Sequence, residues 1–168
     1  QHRGWFHSSL LTAVAIEGRA PYDAVLTHGF VLDGPTGVPF SKSEIEKAKA
    51  EGKNVSYAPP DTVIAKSGAE LFRLWTGSTD FRTDIPYSQA QLDGLSEWYR
   101  KYRNTARFIL GNLADFEPAA HGRDLVERHG FAVDRYVLAQ VDDLVARAVA
   151  HYELYEFHAV HRALVDFV

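Results

Sequence analysis

Lys42 stands between two hydroxyls, Ser41 and Ser43, just beyond a run dense in turn formers, Asp33-Gly34-Pro35-Thr36-Gly37. A flexible ammonium at such a place can meet phosphate oxygens as negative charge develops, with hydroxyls and backbone amides holding the rest. Ser-Lys-Ser is also common in ordinary surface loops, and spacing alone favours that plainer reading. The opening Gln1-His2-Arg3-Gly4-Trp5-Phe6 sets an amide, a cation and an indole at a helix start, where backbone N–H groups attract anions. Trp5 there could wall an apolar pocket, although an aromatic at helical spacing more often packs in a core. Arg100, Arg103, Asn104 and Arg107 recur at steps of three and four, a stripe able to track an RNA backbone. Glu97 and Lys101 dilute its sign, so a solvated helix face is the competing account. His158 and His161 lie one helical turn apart near Glu156 and Asp166, but the i, i+4 pair and third ligand of a metal site are missing. His7, His121, His129 and His151 form no usable pattern. No Ser/His/Asp set or paired carboxylates stand out.

These groups must be carried by something, and 168 residues with 46% hydrophobic and 24% charged side chains can fill one compact core or two small ones. A formal charge of -4 gives no global pull on nucleic acid, so any RNA contact must rest on a local basic patch. With no cysteine there is neither a disulfide framework nor a thiolate metal site, and the cytoplasm is the default compartment. The longest apolar run, around residues 10–16, falls far short of the roughly 20 residues that span a bilayer. The first residues lack the basic and then apolar profile of a signal peptide and read as a cut inside a domain.

Along the chain, Trp5, Leu10, Leu11, Val14 and Ala15 predict an amphipathic helix over residues 4–17, stopped by Gly18. Residues 24–27, Ala-Val-Leu-Thr, suit a buried strand whose carboxyl end opens at His28-Gly29 into the turn-rich loop. Helix, then strand, then loop is α/β grammar. Residues 44–53 form a charged surface helix or insertion, Pro59-Pro60 marks a boundary, and a short helix over 61–66 ends at Gly68. Leu71, Phe72, Leu74 and Trp75 make residues 69–76 a mostly buried helix, and 77–87 a polar linker. Ser88 with Gln91 is a capping-box pattern. It opens a long helix whose stripe runs through Leu92, Leu95, Tyr99, Tyr102, Ala106, Ile109 and Leu113. A connection over 116–130 leads to a second long helix through Leu138, Val141, Val145, Ala148 and Tyr152, and a third spans 157–168. Helices joined this way favour an antiparallel bundle.

The order of these motifs carries a resemblance that none of them carries singly. Gln1-His2-Arg3-Gly4-Trp5-Phe6-His7-Ser8-Ser9-Leu10 resembles the strand-to-helix segment after the Gly-x-Asp element of isoleucyl-tRNA synthetases. Ala20-Pro21-Tyr22, Val25-Leu26-Thr27-His28-Gly29-Phe30 and Asp33-Gly34 are similar to that family's adenine-side segment. Ser41-Lys42-Ser43 resembles the second half of the KMSKS loop of class I synthetases. Gly68-Ala69-Glu70, Leu74-Trp75 and Ser78-Thr79-Asp80 are similar to its connection, and Tyr99-Arg100-Lys101-Tyr102-Arg103-Asn104-Thr105-Ala106-Arg107-Phe108 resembles the first helix of its anticodon-binding domain. Tyr152-Glu153-Leu154-Tyr155-Glu156-Phe157-His158 fits as well. Two departures stand out: Pro39-Phe40 replaces the first lysine and methionine of KMSKS, and a charged insertion follows Ser43 to about Tyr57.

The resemblance implies an α/β plus all-α chain, the C-terminal remnant of a Rossmann-type nucleotide-binding domain (residues 1–67), a connecting segment (68–87), and an antiparallel helix bundle (88–168) opening the anticodon-binding domain. It implies a ligase using ATP, brought with Mg2+, to activate isoleucine and load tRNA(Ile), monomeric when intact, with no metal held by these residues. Lys42 would stabilise phosphate charge with Ser41 and Ser43 shaping the loop. Gln1, His28 and Gly29 would border the adenylate, Trp5 would pack on isoleucine, and Arg100, Arg103 and Arg107 would meet tRNA. The family's HIGH motif, editing domain and zinc region are expected outside these residues, so the chain alone is expected to be inactive. A valyl- or leucyl-type relative and a non-catalytic helical module that binds RNA or protein are the alternatives.

Overall fold

The computed structural model describes residues 2–57 and 59–168. It is mostly helical with one small parallel sheet. A π-helical turn, His2–Phe6, broken by the non-helical backbone of Gly4, runs into α1, His7–Glu17. Gly18 ends α1 in the left-handed conformation, as the sequence predicts. The amphipathic expectation fails: apolar side chains lie all round α1 and none of its residues is buried. Its support is local, the Tyr22 hydroxyl donating to the Phe6 carbonyl at 3.1 Å and the Tyr22 ring meeting Phe6 edge-on.

The strand expected at 24–27 lies instead at Val31–Asp33 (β1), and its partner, Ile85–Tyr87 (β2), arises inside the segment expected to be a polar linker. The two pair in parallel, Val31 with Ile85, Leu32 with Pro86 and Asp33 with Tyr87. A strand forms where the backbone finds a ladder, and the ladder begins where Phe30 accepts from the Ile85 N–H at 2.7 Å. Residues 24–28 carry the apolar composition but pair with no strand among the described residues.

Helix α2, Lys42–Ala50, is capped by Ser41, whose hydroxyl accepts from the Glu44 N–H at 3.3 Å. Its Ile45 and Ala48 pack with Val38 and Val55 in a small core. Helix α3, Pro60–Ser67, starts on a proline at its first position and stops at Gly68, whose φ of 87° favours a residue without Cβ. Helix α4, Ala69–Ser78, buries Leu71 and Trp75. They join Val63, Tyr87 and Leu92 in the main core, with Val31, Ile85, Leu95 and Tyr99 at its edge. Phe40 packs against both cores and thereby ties the Ser41 loop to the sheet.

Ser88 opens α5, Gln89–Gly111, with a complete capping box: its hydroxyl accepts from Gln91 N–H, and the Gln91 side chain accepts from Ser88 N–H. The apolar stripe is present, but only its first half is covered. Leu92 is fully buried, whereas Ile109 and Leu113 are exposed. The connection expected over 116–130 contains a two-turn helix, α6, Arg123–His129, which Arg123 anchors by a double hydrogen bond to Asp142. Arg123 lies beside two carboxylates, Asp142 and Glu127, an ion cluster that composition alone does not locate. Helices α7, Ala132–Glu153, and α8, Phe157–Phe167, turn back on each other through Tyr155, which takes a positive φ of 57°. Helix α8 packs on both α7 and α4, with Val160 and Ala163 buried.

Candidate nucleotide and RNA site

The Lys42 loop is built from Asp33 outward. This carboxylate, 1% exposed at the end of β1, accepts from the Thr36 N–H at 3.1 Å and from the Ser56 N–H at 3.1 Å. The Thr36 hydroxyl donates to it as well. Backbone bonds from Asp33 N–H to the Val38 carbonyl (2.8 Å) and from Gly37 N–H to the Asp33 carbonyl (2.7 Å) close the turn. The chain thus arrives at Ser41 already oriented, and Lys42 becomes the first residue of α2 with its side chain exposed. Ser41 and Ser43 hydroxyls stand 3.5 Å apart on either side of it. An exposed ammonium beside the N-terminus of a nine-residue helix is a place suited to anions. The part played by Asp33 was not singled out from sequence. Its signal was available, since Asp followed three residues later by Thr in a Gly-Pro run is the pattern of a side-chain-capped turn.

The His28-Gly29 bend is pinned from one side by residues 81–85. Gly29 N–H donates to the Phe81 carbonyl at 2.8 Å, and Phe30 N–H to Asp84 Oδ1 at 2.8 Å. His28 and Gly29 line a mainly apolar cavity of about 450 Å3 with Phe72, Trp75, Phe81 and Phe157. Trp5 is 89% exposed and lines a different, open groove along α1 with Ser9 and Ile16. Lys42 borders neither. Gln1 lies outside the described residues.

Arg100, Arg103 and Arg107 are all exposed on one flank of α5, and the Arg103 guanidinium lies 5.7 Å from the centre of the Tyr99 ring. His158 and His161 each bury Nδ1 without a hydrogen-bond partner, and His161 packs edge-on against Tyr102. Burial, and then the charge of Arg162, pushes His161 below its ordinary value. Among the described residues no three His, Asp or Glu side chains gather where a metal ion could sit. Also among them, no helix is long and apolar enough to cross a membrane.

A charged corner closes the chain. Arg82 donates to both Asp80 oxygens, Nε to Oδ1 at 2.8 Å and Nη2 to Oδ2 at 3.0 Å, and approaches Glu156 at 3.4 Å. Glu156 also meets His151 Nδ1 at 2.9 Å. The hydrogen bond from Arg82 holds Asp80 down at about 2, and the bond from His151 holds Glu156 below its ordinary 4.5. Both folded values lie under the unfolded ones. Their stabilisation is therefore complete above the ordinary carboxylate range and is lost as pH falls through the folded values. Carbon-detected titration of the carboxyl groups should show Asp80 protonating near pH 2, with the corner loosening over the same acidic range. A midpoint near the ordinary 3.8 would show the ion pair to be unformed in solution.

The chain belongs to the class I tRNA synthetases of the isoleucine, leucine, methionine and valine group, whose family model matches residues 1–88. More particularly, it is 46% identical over 99% of its length to the isoleucine-tRNA ligase of Syntrophotalea carbinolica. It is 44% and 43% identical, again over 99%, to the isoleucine-tRNA ligases of Paraburkholderia phymatum and Bacillus cytotoxicus. The chain spans 16% to 17% of the length of these relatives.

Proposed function

We propose that this chain is part of an isoleucine-tRNA ligase, which activates isoleucine with ATP and transfers it to tRNA(Ile). The observation that carries the proposal is the similarity to ligases of that name over 99% of the chain. Residues 1–67 are read as the C-terminal part of a Rossmann-type catalytic domain, whose strand β1 pairs in parallel with β2 of the segment that follows. Residues 68–87 form the connection, and 88–168 begin an antiparallel anticodon-binding bundle. The working compartment is the cytoplasm and the intact enzyme acts as a monomer.

In the activation step the isoleucine carboxylate displaces pyrophosphate from the α-phosphorus of ATP, which enters with Mg2+. Negative charge grows on the departing oxygens, and Lys42, an ammonium at a helix start, is placed by its chemistry to offset it. Ser41 gives that helix its cap and Ser43 a second hydroxyl beside it. His28 and Gly29 border the adenine, with Gln1 at the adenylate end, and Trp5 offers an apolar face to the isoleucine side chain. The Arg100, Arg103 and Arg107 flank meets tRNA phosphates, which salt would weaken.

The test is a graft. This chain replaces the matching segment of the Syntrophotalea carbinolica ligase, and ATP–pyrophosphate exchange is measured. Exchange stimulated by isoleucine in preference to leucine is expected from the graft, and none from the 168-residue chain alone. A folded graft that is silent, or one that prefers leucine, would overturn the assignment.

A further inference from the structure

The bend that carries His28 has its partners in residues 81–85, and those residues in turn lean on the far end of the chain. Gly29 donates to the Phe81 carbonyl at 2.8 Å, and a Cβ on Gly29 would fall 2.2 Å from the Thr83 carbonyl oxygen, so the two backbones are in direct contact. The Phe81 ring meets Phe157, the first residue of α8, at 6.0 Å between centroids. Phe157 is itself held between Tyr152 (5.7 Å) and Tyr155 (6.3 Å) at the α7–α8 turn. The Arg82–Glu156 pair runs parallel to this ring contact, but at 3.4 Å and with Arg82 half exposed it is the weaker link. His28, Gly29, Phe81 and Phe157 also line one cavity.

We propose that Phe157 is a positioning residue for the His28-Gly29 bend: through Phe81 it makes the α7–α8 turn set the place of the segment read as bordering adenine. The functional meaning rests on the reading given under Proposed function, whereas the mechanical claim does not. The ring contact couples the two segments because drawing them apart forfeits the apolar contact between Phe81 and Phe157. A shift of the α7–α8 turn would thus reach the bend through one ring pair and one backbone hydrogen bond.

The experiment is amide hydrogen exchange on the full chain. In Phe157→Ala the Gly29 and Phe30 amides should exchange on the order of tenfold faster, as local opening of the bend becomes easier. The Ile45 amide, bonded to Ser41 in the second core, should not change. Phe157→Leu, which keeps an apolar body, should restore most of the protection. If the alanine variant does not fold, Phe81→Leu removes the same ring pair from the other side and is read at the same amides. Unchanged exchange at Gly29, or equal acceleration at Gly29 and Ile45, would overturn the proposal. Adding ATP to the grafted ligase separates the two claims. If the Gly29 resonance ignores ATP while Phe157→Ala still frees it, the adenine reading fails and the positioning role stands.

Discussion

Replacing Gly29 by alanine should destabilise the chain by about 3 kcal/mol, the upper part of the range for forcing atoms into a filled space. The added Cβ would lie 2.2 Å from the Thr83 carbonyl oxygen, 2.3 Å from its carbon and 2.6 Å from the Asp84 nitrogen. All three are backbone atoms, so no side-chain rotation can relieve the contact. Separating the two segments would stretch the Gly29 to Phe81 hydrogen bond and, next to it, the Phe30 to Asp84 and Ile85 to Phe30 bonds that start the parallel pair. The loss is therefore cooperative, and β1 and β2 should loosen together. Urea unfolding followed by tryptophan fluorescence measures it, since Trp75 lies in the core that β2 helps to close. A midpoint shift equivalent to less than about 1 kcal/mol would mean that the approach of the two backbones is looser than described.

Lys42→Ala in the grafted ligase should lower the rate of isoleucine-dependent exchange on the order of 10²–10³-fold, the effect of removing one well-placed group that meets transition-state charge. Folding should be unaffected. The Lys42 side chain is exposed and forms no ion pair among the described residues, and alanine is an equally good helix former. Lys42→Arg should recover only part of the rate, because the guanidinium keeps the charge but not its compact position. Ser41→Ala offers a contrast. It removes the cap of α2 and should cost about 1 kcal/mol of stability as well as activity. An unchanged exchange rate in Lys42→Ala would take Lys42 out of the mechanism, and a fall matched by lost stability would make it structural.

What was legible beforehand follows a physical rule that particular elements make plain. Every feature set by neighbours in sequence was readable. The Ser88 and Gln91 capping box, the stops at Gly18 and Gly68, and the charged helix after Ser41 all need partners no more than four residues away. Long α-helices at α5, α7 and α8 were readable for the same reason, their bonds being internal. The strands were not. Residues 24–27 have the apolar composition of a strand, yet pairing fell to Val31–Asp33 because its partner, Ile85–Tyr87, lies more than fifty residues away and is itself nearly featureless. The α5 stripe had the right period to its end, but period says which side is apolar and not how far along it another element reaches.

The same division holds for the site. The sequence by itself determined the family, through ordered short motifs, and the local chemistry of Ser41, Lys42 and Ser43, because a helix cap and an exposed ammonium are properties of adjacent residues. Only the tertiary structure decided that Asp33 anchors their loop from inside, that Phe81 accepts from the Gly29 amide and meets the Phe157 ring, and that His28 and Trp5 line different cavities. Those outcomes depend on which distant backbone and ring reach a given place first. No local periodicity encodes that choice, because the energy of a long-range contact appears only once the loop between its ends has closed.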